Sequence, residues 1–281
     1  MNRILVFGGS GFIGESIVHH LNDRADASVK VINRSDLDFF DLSASVCFHL
    51  NTFNPDIILY AAGFNRRFAF QEVELLNEHK ILAILSHYAG KLIYLSSSLV
   101  YDSTGDHLTV DESTRVAPTG EYGFFKAICE DIISTHHNWT ILRLSSIVGK
   151  NKKESVFQFI FNHVVRRSST IDFKFSDSQR DYLHINLCGQ IIADLTLSSN
   201  IPSNNYVNIS SAKVLSLSEI ACKMYQLSNI EFIPTLTFGD PRPDDPSFFL
   251  LANRKMLQYI SSQTRQKVFS HCPIADFIDE L

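Results

Sequence analysis

The sequence predicts an α/β protein, a doubly wound parallel sheet with helices on both faces, followed by a smaller α/β unit. Three observations carry this expectation. Short, fully apolar runs alternate with amphipathic helical stretches through the first half of the chain, the pattern of parallel strands buried on both faces. A glycine-rich turn joins the first run to the first helical stretch. Beyond Gly149 the alternation becomes irregular and the turns polar, as in Ser198-Ser199-Asn200 and Asn204-Asn205.

In chain order, Ile4, Leu5, Val6 and Phe7 make a first strand that ends in glycines. Over residues 12–21, Ile13, Ile17, Val18 and Leu21 recur at helical spacing. A second strand is expected at 29–32. A third follows at 56–60, announced by the turn signal Asn54-Pro55. A helical stretch over about 68–87 leads to a fourth strand at 91–95, and a helix over 120–136 leads to a fifth at 139–143. Pro241-Arg242-Pro243-Asp244-Asp245-Pro246 must be a loop, because its prolines remove helix and ladder donors. The organisation changes near Gly149.

Composition narrows the function classes. The 281 residues suffice for one large α/β domain or a nucleotide-binding domain with a smaller partner. Apolar residues make up 45% and charged residues 20%, which leaves little room for disorder. A net charge of −5 gives no basic field for a polyphosphate backbone, so no nucleic-acid partner is expected. No apolar run reaches membrane-spanning length, and with the first strand so near Met1 no secretory signal is expected. Cys47, Cys129, Cys188, Cys222 and Cys272 lie far apart with no zinc-like spacing, so no metal site is expected. They read as small buried hydrophobes of a reducing compartment, and the expected location is cytoplasmic.

The turn Gly8-Gly9-Ser10-Gly11-Phe12-Ile13-Gly14 suits a dinucleotide. Glycine there permits positive φ, close approach of a pyrophosphate to the backbone and tight packing of helix on strand. The helix N-terminus then offers N–H groups to the phosphates. The second strand ends in Asn33-Arg34-Ser35. An acid at this place accepts from the ribose 2′-hydroxyl of NAD, whereas an arginine suits the 2′-phosphate of NADP. Asn33 does not repel a phosphate and Arg34 can pair with it, which favours NADP(H). NAD(H) stays open, with Asp36 as the substitute acid.

Tyr122 and Lys126 are spaced by about one helical turn and so emerge on one face. A phenol of pKa near 10 is a poor acid–base at neutral pH. A neighbouring ammonium stabilises its phenolate, and the phenol can then give a proton to a carbonyl oxygen that receives hydride. Ser96-Ser97-Ser98 supplies hydroxyls at the end of the fourth strand, where open α/β sheets bind ligands. One such hydroxyl would stabilise the developing alkoxide.

The order and spacing of these motifs resemble the extended short-chain dehydrogenases/reductases, also called the NAD-dependent epimerase/dehydratase family, over nearly the whole chain. Gly8, Gly11 and Gly14 match the glycine fingerprint of its Rossmann-type cofactor domain, with Phe12 and Ile13 between them. Asp41-Leu42 is similar to the family's adenine-contacting pair, and Ala61, Ala62 and Gly63 follow the third strand as the family's cofactor-lining segment does. Asn77 resembles the asparagine of the next helix. Ser96 to Tyr101 resembles the Ser-[Ser/Thr]-x-x-Val-Tyr segment, and alignment on Val100 makes Ser97 the implied catalytic hydroxyl, with Ser98 beside the substrate. Pro118, Tyr122, Gly123, Lys126 and Glu130 match the tyrosine helix, which implies Tyr122 and Lys126 as catalytic and cofactor-binding residues. Arg143-Leu144 with Val148-Gly149, the run Arg180-Asp181-Tyr182-Leu183-His184, and Arg242-Pro243-Asp244-Asp245 are similar to three further family segments. In members that act on nucleotide-linked sugars, the arginines at the positions of Arg180 and Arg242 hold the substrate diphosphate. The resemblance implies a cofactor domain over 1–149 that also receives a segment near 178–210, with 150–281 mainly substrate-binding. It also implies a homodimer formed through the helices near 68–87 and 120–136.

Departures from the family pattern narrow the reaction. The 4,6-dehydratases carry an Asp-Glu pair directly after the catalytic hydroxyl, where this chain has Ser98-Leu99. Members that join 3,5-epimerisation to reduction have a cysteine where Leu99 stands and use a histidine after the fifth strand, with no clear equivalent in Lys150-Asn151-Lys152-Lys153. What remains is hydride transfer at a sugar carbonyl. The expectation is an NADPH-dependent nucleotide-sugar 4-ketoreductase, resembling the dTDP-4-dehydrorhamnose reductases. A 4-epimerase with tightly held NAD and a non-catalytic dinucleotide sensor are the alternatives.

Overall fold

The computed structural model describes residues 1–63, 72–150, 155–241 and 246–280. The chain enters with β1 (Asn2–Phe7), turns through the glycines into α1 (Phe12–Asn22) and returns in parallel as β2 (Ala27–Ile32). Helix α2 (Leu42–Phe53) starts where the Asp41 carboxylate accepts from the Ala44 N–H. It stops at Asn54, which adopts the left-handed conformation (φ 48°) just before Pro55. Asparagine tolerates that conformation, and the following proline disfavours a helical residue before it. Next come β3 (Ile57–Tyr60), α3 (Glu72–Leu85), β4 (Lys91–Ser97), β5 (His107–Val110), α4 (Glu121–Ser134), β6 (Trp139–Leu144) and β7 (Ser146–Val148). The part of the expected 68–87 helix that covers 68–71 lies outside the described residues. Strand β4 runs two residues beyond the expected 95, because Ser96 and Ser97 still pair with Arg143 and Leu144 of β6.

The second half contains α5 (Val156–Val165), β8 (Thr170–Phe173), β9 (Gln179–His184), α6 (Ile185–Leu197), β10 (Asn205–Ile209), β11 (Val214–Leu215) and α7 (Leu217–Leu227). After these follow β12 (Thr235–Phe238), β13 (Phe248–Leu251), α8 (Arg254–Tyr259), α9 (Ser262–Ser270) and α10 (Pro273–Asp279). The main sheet has the order β10-β6-β4-β3-β1-β2, and every pairing in it is parallel. Strand β10 therefore returns from the irregular half to extend the sheet past β6. Helix α6 precedes it and packs on α1, where Ser16 donates to the Ile185 carbonyl and Arg24 pairs with Asp194.

Successive residues of a strand point to opposite faces, and the two faces of this sheet are both dry. Ile4, Val6, Ile57, Leu59 and Ile93 pack with Ile17, Leu21, Cys188 and Ile191 of α1 and α6. Leu5, Phe7, Ile58, Tyr60, Leu92 and Tyr94 pack with Val46, Leu82, Phe125 and Cys129 of α2, α3 and α4. A second, mixed sheet has the order β11-β9-β13-β5, with β7 also on β9, and β8 pairs with β12. Phe157, Ile160, Ile220, Met224 and Phe277 form a separate cluster between α5, α7 and α10.

Candidate active site

The glycine turn has the geometry that its composition predicts. Gly8 adopts φ +80°, and a Cβ there would lie 2.6 Å from the Ala62 backbone; a Cβ on Gly14 would lie 2.1 Å from the Gly8 carbonyl oxygen. A side chain on Gly8 would collide with the segment after β3, and one on Gly14 would push α1 away from the turn. Gly11 is the N-cap of α1 and no side chain caps the helix, so its first turn faces outward without a competing side-chain acceptor. Phe12 and Ile13 are half-buried beside it. Gly8 thus sits directly against the Ala61-Ala62-Gly63 segment that follows β3. These backbones form a cradle that suits a pyrophosphate, with the phosphate oxygens against helix N–H groups.

Asn33 ends β2 and ties it to the turn: its Oδ1 accepts from the Ser10 N–H (3.1 Å) and the Ser10 hydroxyl (2.7 Å). The Asp36 carboxylate accepts from the Asn33 N–H at 2.7 Å. Arg34 is exposed, with its guanidinium 5.5 Å from the centre of the Phe39 ring. Asp41 is exposed and serves as the cap of α2, while Leu42 is buried beneath it. Asn77 is half-buried on α3.

Ser97 is the last residue of β4 and opens a single 3₁₀ turn over Ser98–Val100, its hydroxyl accepting from the Leu99 N–H at 3.2 Å. Helix α4 lies hard against this turn, because Gly123 has no side chain: a Cβ there would come 2.1 Å from the Leu99 carbonyl oxygen. That contact sets Tyr122, the neighbour of Gly123, alongside the turn. The Lys126 ammonium lies 6.0 Å from the Tyr122 ring centre. It donates to the Tyr94 hydroxyl (2.9 Å) and the Leu95 carbonyl (3.2 Å) of β4. A side chain on Gly63 would come 3.2 Å from the ammonium, so Gly63 brings the cofactor cradle next to it. Ser97, Tyr122 and Lys126 are therefore gathered at the C-terminal ends of the strands, next to the glycine turn, the crevice in which open parallel sheets bind ligands.

Two buried carboxylates flank this group. Glu130, one turn beyond Lys126, accepts from the Ser96 hydroxyl at 2.5 Å and from Arg143 through two bonds of 3.0 and 2.7 Å. The Arg143 guanidinium lies 4.7 Å from the Tyr101 ring centre and 4.3 Å from that of Tyr206. Burial opposes its charge, but the bonds and charge of Glu130 outweigh burial and raise its pKa above the ordinary arginine value. The other carboxylate, Glu78 of α3, lies 3.9 Å from the Lys126 ammonium. Sequence reasoning passed over Glu78. The signal was present, since it sits on the helical stripe with Ile81, Leu82 and Leu85 where an apolar residue belongs.

The remaining expected residues are placed as follows. Ser98 is half-buried in the 3₁₀ turn. Arg180 is half-buried in β9 of the second sheet, where its Nη1 donates to the Gln179 carbonyl at 2.8 Å. Its neighbour Asp181 is buried, and its Oδ1 accepts from the Ser211 N–H and hydroxyl. Arg242 lies outside the described residues.

Comparison with known proteins agrees with this fold. Residues 1–173 match the family model described as the RmlD substrate binding domain. The chain belongs to that family. It is 26% identical over 221 residues to a GDP-6-deoxy-D-talose 4-dehydrogenase of Aggregatibacter actinomycetemcomitans, across 74% of each chain. It is 23% identical over 251 residues to a putative UDP-glucose 4-epimerase of Methanocaldococcus jannaschii, across 77% of this chain and 79% of that one. A solved UDP-glucuronic acid 4-epimerase from Bacillus cereus superposes with a TM-score of 0.77 at 17% identity, covering 99% of this chain and 98% of that one. This member of the RmlD substrate binding domain family has the Rossmann-like parallel sheet of such proteins and is an enzyme of the extended short-chain dehydrogenase/reductase type. No helix among the described residues is long and apolar enough to cross a membrane.

Proposed function

We propose that this enzyme reduces the 4-keto group of a nucleotide-diphosphate-linked deoxysugar with NADPH. One observation carries the reading. Helix α4 abuts the turn after Ser97 through Gly123 and so offers Ser97, Tyr122 and Lys126 together, while the side chains that follow Ser97, Ser98 and Leu99, have no carboxylate or thiol with which to move further protons. Bound in the glycine cradle, the nicotinamide cofactor supplies the hydride. Tyr122 gives its phenolic proton to the carbonyl oxygen, and the resulting phenolate is held by the Lys126 ammonium. Ser97 donates a second hydrogen bond to the same oxygen and stabilises the alkoxide as its charge develops.

Gly8, Gly11, Phe12, Ile13, Gly14, Ala61, Ala62 and Gly63 would hold the dinucleotide, with Asp41, Leu42 and Asn77 at its flanks. Preference for NADPH is supported by the end of β2. The Asp36 carboxylate is turned onto the Asn33 N–H, so the nearest acid is engaged in the turn, and exposed Arg34 offers a guanidinium to a 2′-phosphate. Arg180 and Arg242 would take the substrate diphosphate, whose oxygens suit a guanidinium fork. In this reading 1–149 and the segment near 178–210 bind cofactor and the rest of 150–281 binds the sugar nucleotide. Phe124 is 61% exposed on α4 and Leu76 is exposed on α3, an apolar face suited to a homodimer.

A second reading, 4-epimerisation with retained NAD, is favoured by the 4-epimerases among the similar proteins. One assay separates the two: NADPH absorbance is followed with a nucleotide 4-keto-6-deoxysugar while NMR identifies the product. Stoichiometric NADPH oxidation is expected. Interconversion of two 4-hydroxy epimers without NADPH consumption makes the epimerase reading correct.

A further inference from the structure

Lys126 is only 3% exposed and Glu78 5%. A buried ammonium stays charged only with compensation, because burial disfavours the charged form. Its two hydrogen-bond partners, the Tyr94 hydroxyl and the Leu95 carbonyl, are neutral. Glu130 is close, but Arg143 already neutralises it through two bonds. Among the described residues that leaves Glu78, 3.9 Å away, as the carboxylate available to Lys126. Among the described residues its own surroundings offer nothing else. Its Oε1 is buried without a hydrogen-bond partner. The described groups that face it include Tyr60 of β3, Tyr94 of β4 and Cys129 of α4, and burial raises all three, Cys129 to about 12, so each is neutral at physiological pH. His79, its neighbour on α3, stacks on Phe125 at 5.1 Å and is pushed down by burial, so it too is neutral.

We infer that Glu78 is the buried counter-charge that keeps Lys126 an ammonium, and is thereby a positioning residue that sets the charge Lys126 presents beside Tyr122. The inference rests on the proposed roles of Tyr122 and Lys126 for its link to turnover, but not for the coupling of the two charges. Burial lowers the affinity of Lys126 for its proton, and the neighbouring charges, Glu78 among them, outweigh burial and raise it; reciprocally, burial raises the Glu78 carboxyl and the Lys126 charge opposes that rise. Removing the negative charge beside Lys126 makes its proton leave at lower pH.

Glu78→Gln keeps shape and removes charge, and Glu78→Asp restores charge on a shorter arm. In the protein without substrate or cofactor, ¹⁵N NMR of the lysine ammonium groups should show Lys126 titrating about 1–3 units lower in Glu78→Gln, the span expected for loss of an opposite charge within a few ångströms. Glu78→Asp should recover most of the shift. In the reductive direction the alkaline limb of kcat/KM should move toward acid by a similar amount in Glu78→Gln. Lys126→Met supplies the reciprocal measurement if Glu78→Gln does not fold. Glu78 then becomes a neutral acid, seen as a protonated-carboxyl stretch in the infrared that deuterium exchange shifts. An unmoved Lys126 titration in folded Glu78→Gln, or an ionised Glu78 in Lys126→Met, overturns the inference. A shifted Lys126 titration with an unshifted rate profile supports the charge coupling and sinks the proposed role of Lys126 in turnover.

Discussion

Helix α4 buries two charges one turn apart and treats them differently. Glu130 is saturated: two bonds from Arg143, one from Ser96, and two aromatic rings over the guanidinium. Lys126 is held by two neutral oxygens and faces a carboxylate 3.9 Å away whose Oε1 has no hydrogen-bond partner. A saturated ion pair in a dry interior fixes geometry and has no spare capacity for a reacting group. A pair left slack can change protonation or accept a new neighbour at modest cost. The first pair therefore reads as the peg that joins α4 to β4 and β6, and the second as the part of the helix kept for chemistry.

That contrast breaks most visibly at the saturated pair. Arg143→Met leaves the Glu130 carboxylate buried with the Ser96 hydroxyl but without its cation, and losing one partner of a buried pair costs about 3–5 kcal/mol. Urea unfolding should show a loss of this size, with activity lost alongside stability. A loss below about 1 kcal/mol, the range of surface pairs, would show that Glu130 and Arg143 do not act as a peg.

Tyr122→Phe should do the reverse. It removes a half-buried hydroxyl from the slack end of the helix, so the melting temperature and dinucleotide affinity should hold. Turnover should fall by roughly 10²–10⁴-fold, the usual worth of general acid–base help. Unchanged turnover with intact folding removes Tyr122 from the chemistry.

How much of this was legible in the sequence depended on range. The glycine turn, the serine strand end and the Tyr-Lys spacing are local patterns, and the expected strands reappear within a residue or two. Long-range pairing was not legible. Strand β5 finds its partner in β13, where His107 pairs with Phe248 and Val110 with Leu251. Neither short run carries a period that names the other. Glu78 and Tyr94 were missed for a related reason: each sits in an apolar pattern and gains meaning only when α3, β4 and α4 bring both to Lys126. Gly123 was recognised as part of a motif, yet its physical work, the contact with Leu99, is visible only in three dimensions.

A third buried charge extends the comparison. Asp181, beside Arg180, is pushed up to about 7 by burial, although hydrogen bonds from Ser211, Ser210 and Ala212 act to lower it. Its Oδ2 has no hydrogen-bond partner. An unfolded aspartate titrates near 3.9, so between about pH 4 and 7 the folded state binds more protons than the unfolded one. Stability then falls as pH rises through that window and levels off above it. The total is of order a few kcal/mol. Asp181→Asn should flatten this part of the stability profile while leaving the acid side of it unchanged. A wild-type profile that rises between pH 4 and 7, with no difference from Asp181→Asn, would mean that Asp181 is ionised throughout and better solvated than its burial indicates.

Arg34 marks the opposite limit, an exposed charge at the end of β2. Its guanidinium rests 5.5 Å from the Phe39 ring centre, while Asn33 and Asp36 are both engaged in the turn beneath it. If it reads the 2′-phosphate, the wild type binds NADPH more tightly than NADH, and Arg34→Ala removes most of the difference. A charge-assisted bond is worth about 1.5–3 kcal/mol when shielded, and an exposed pair only about 0–1. The expected preference is accordingly small, on the order of tenfold or less. Salt supplies the sharper diagnosis. Exposed charges are screened over about 8 Å at physiological ionic strength, so the preference should shrink as salt is raised, whereas the Lys126 and Arg143 pairs, out of solvent, should be nearly indifferent. Isothermal titration of both cofactors at low and high salt measures this directly. Equal affinities at low salt in the wild type would remove Arg34 from cofactor choice and favour the reading in which NAD is retained.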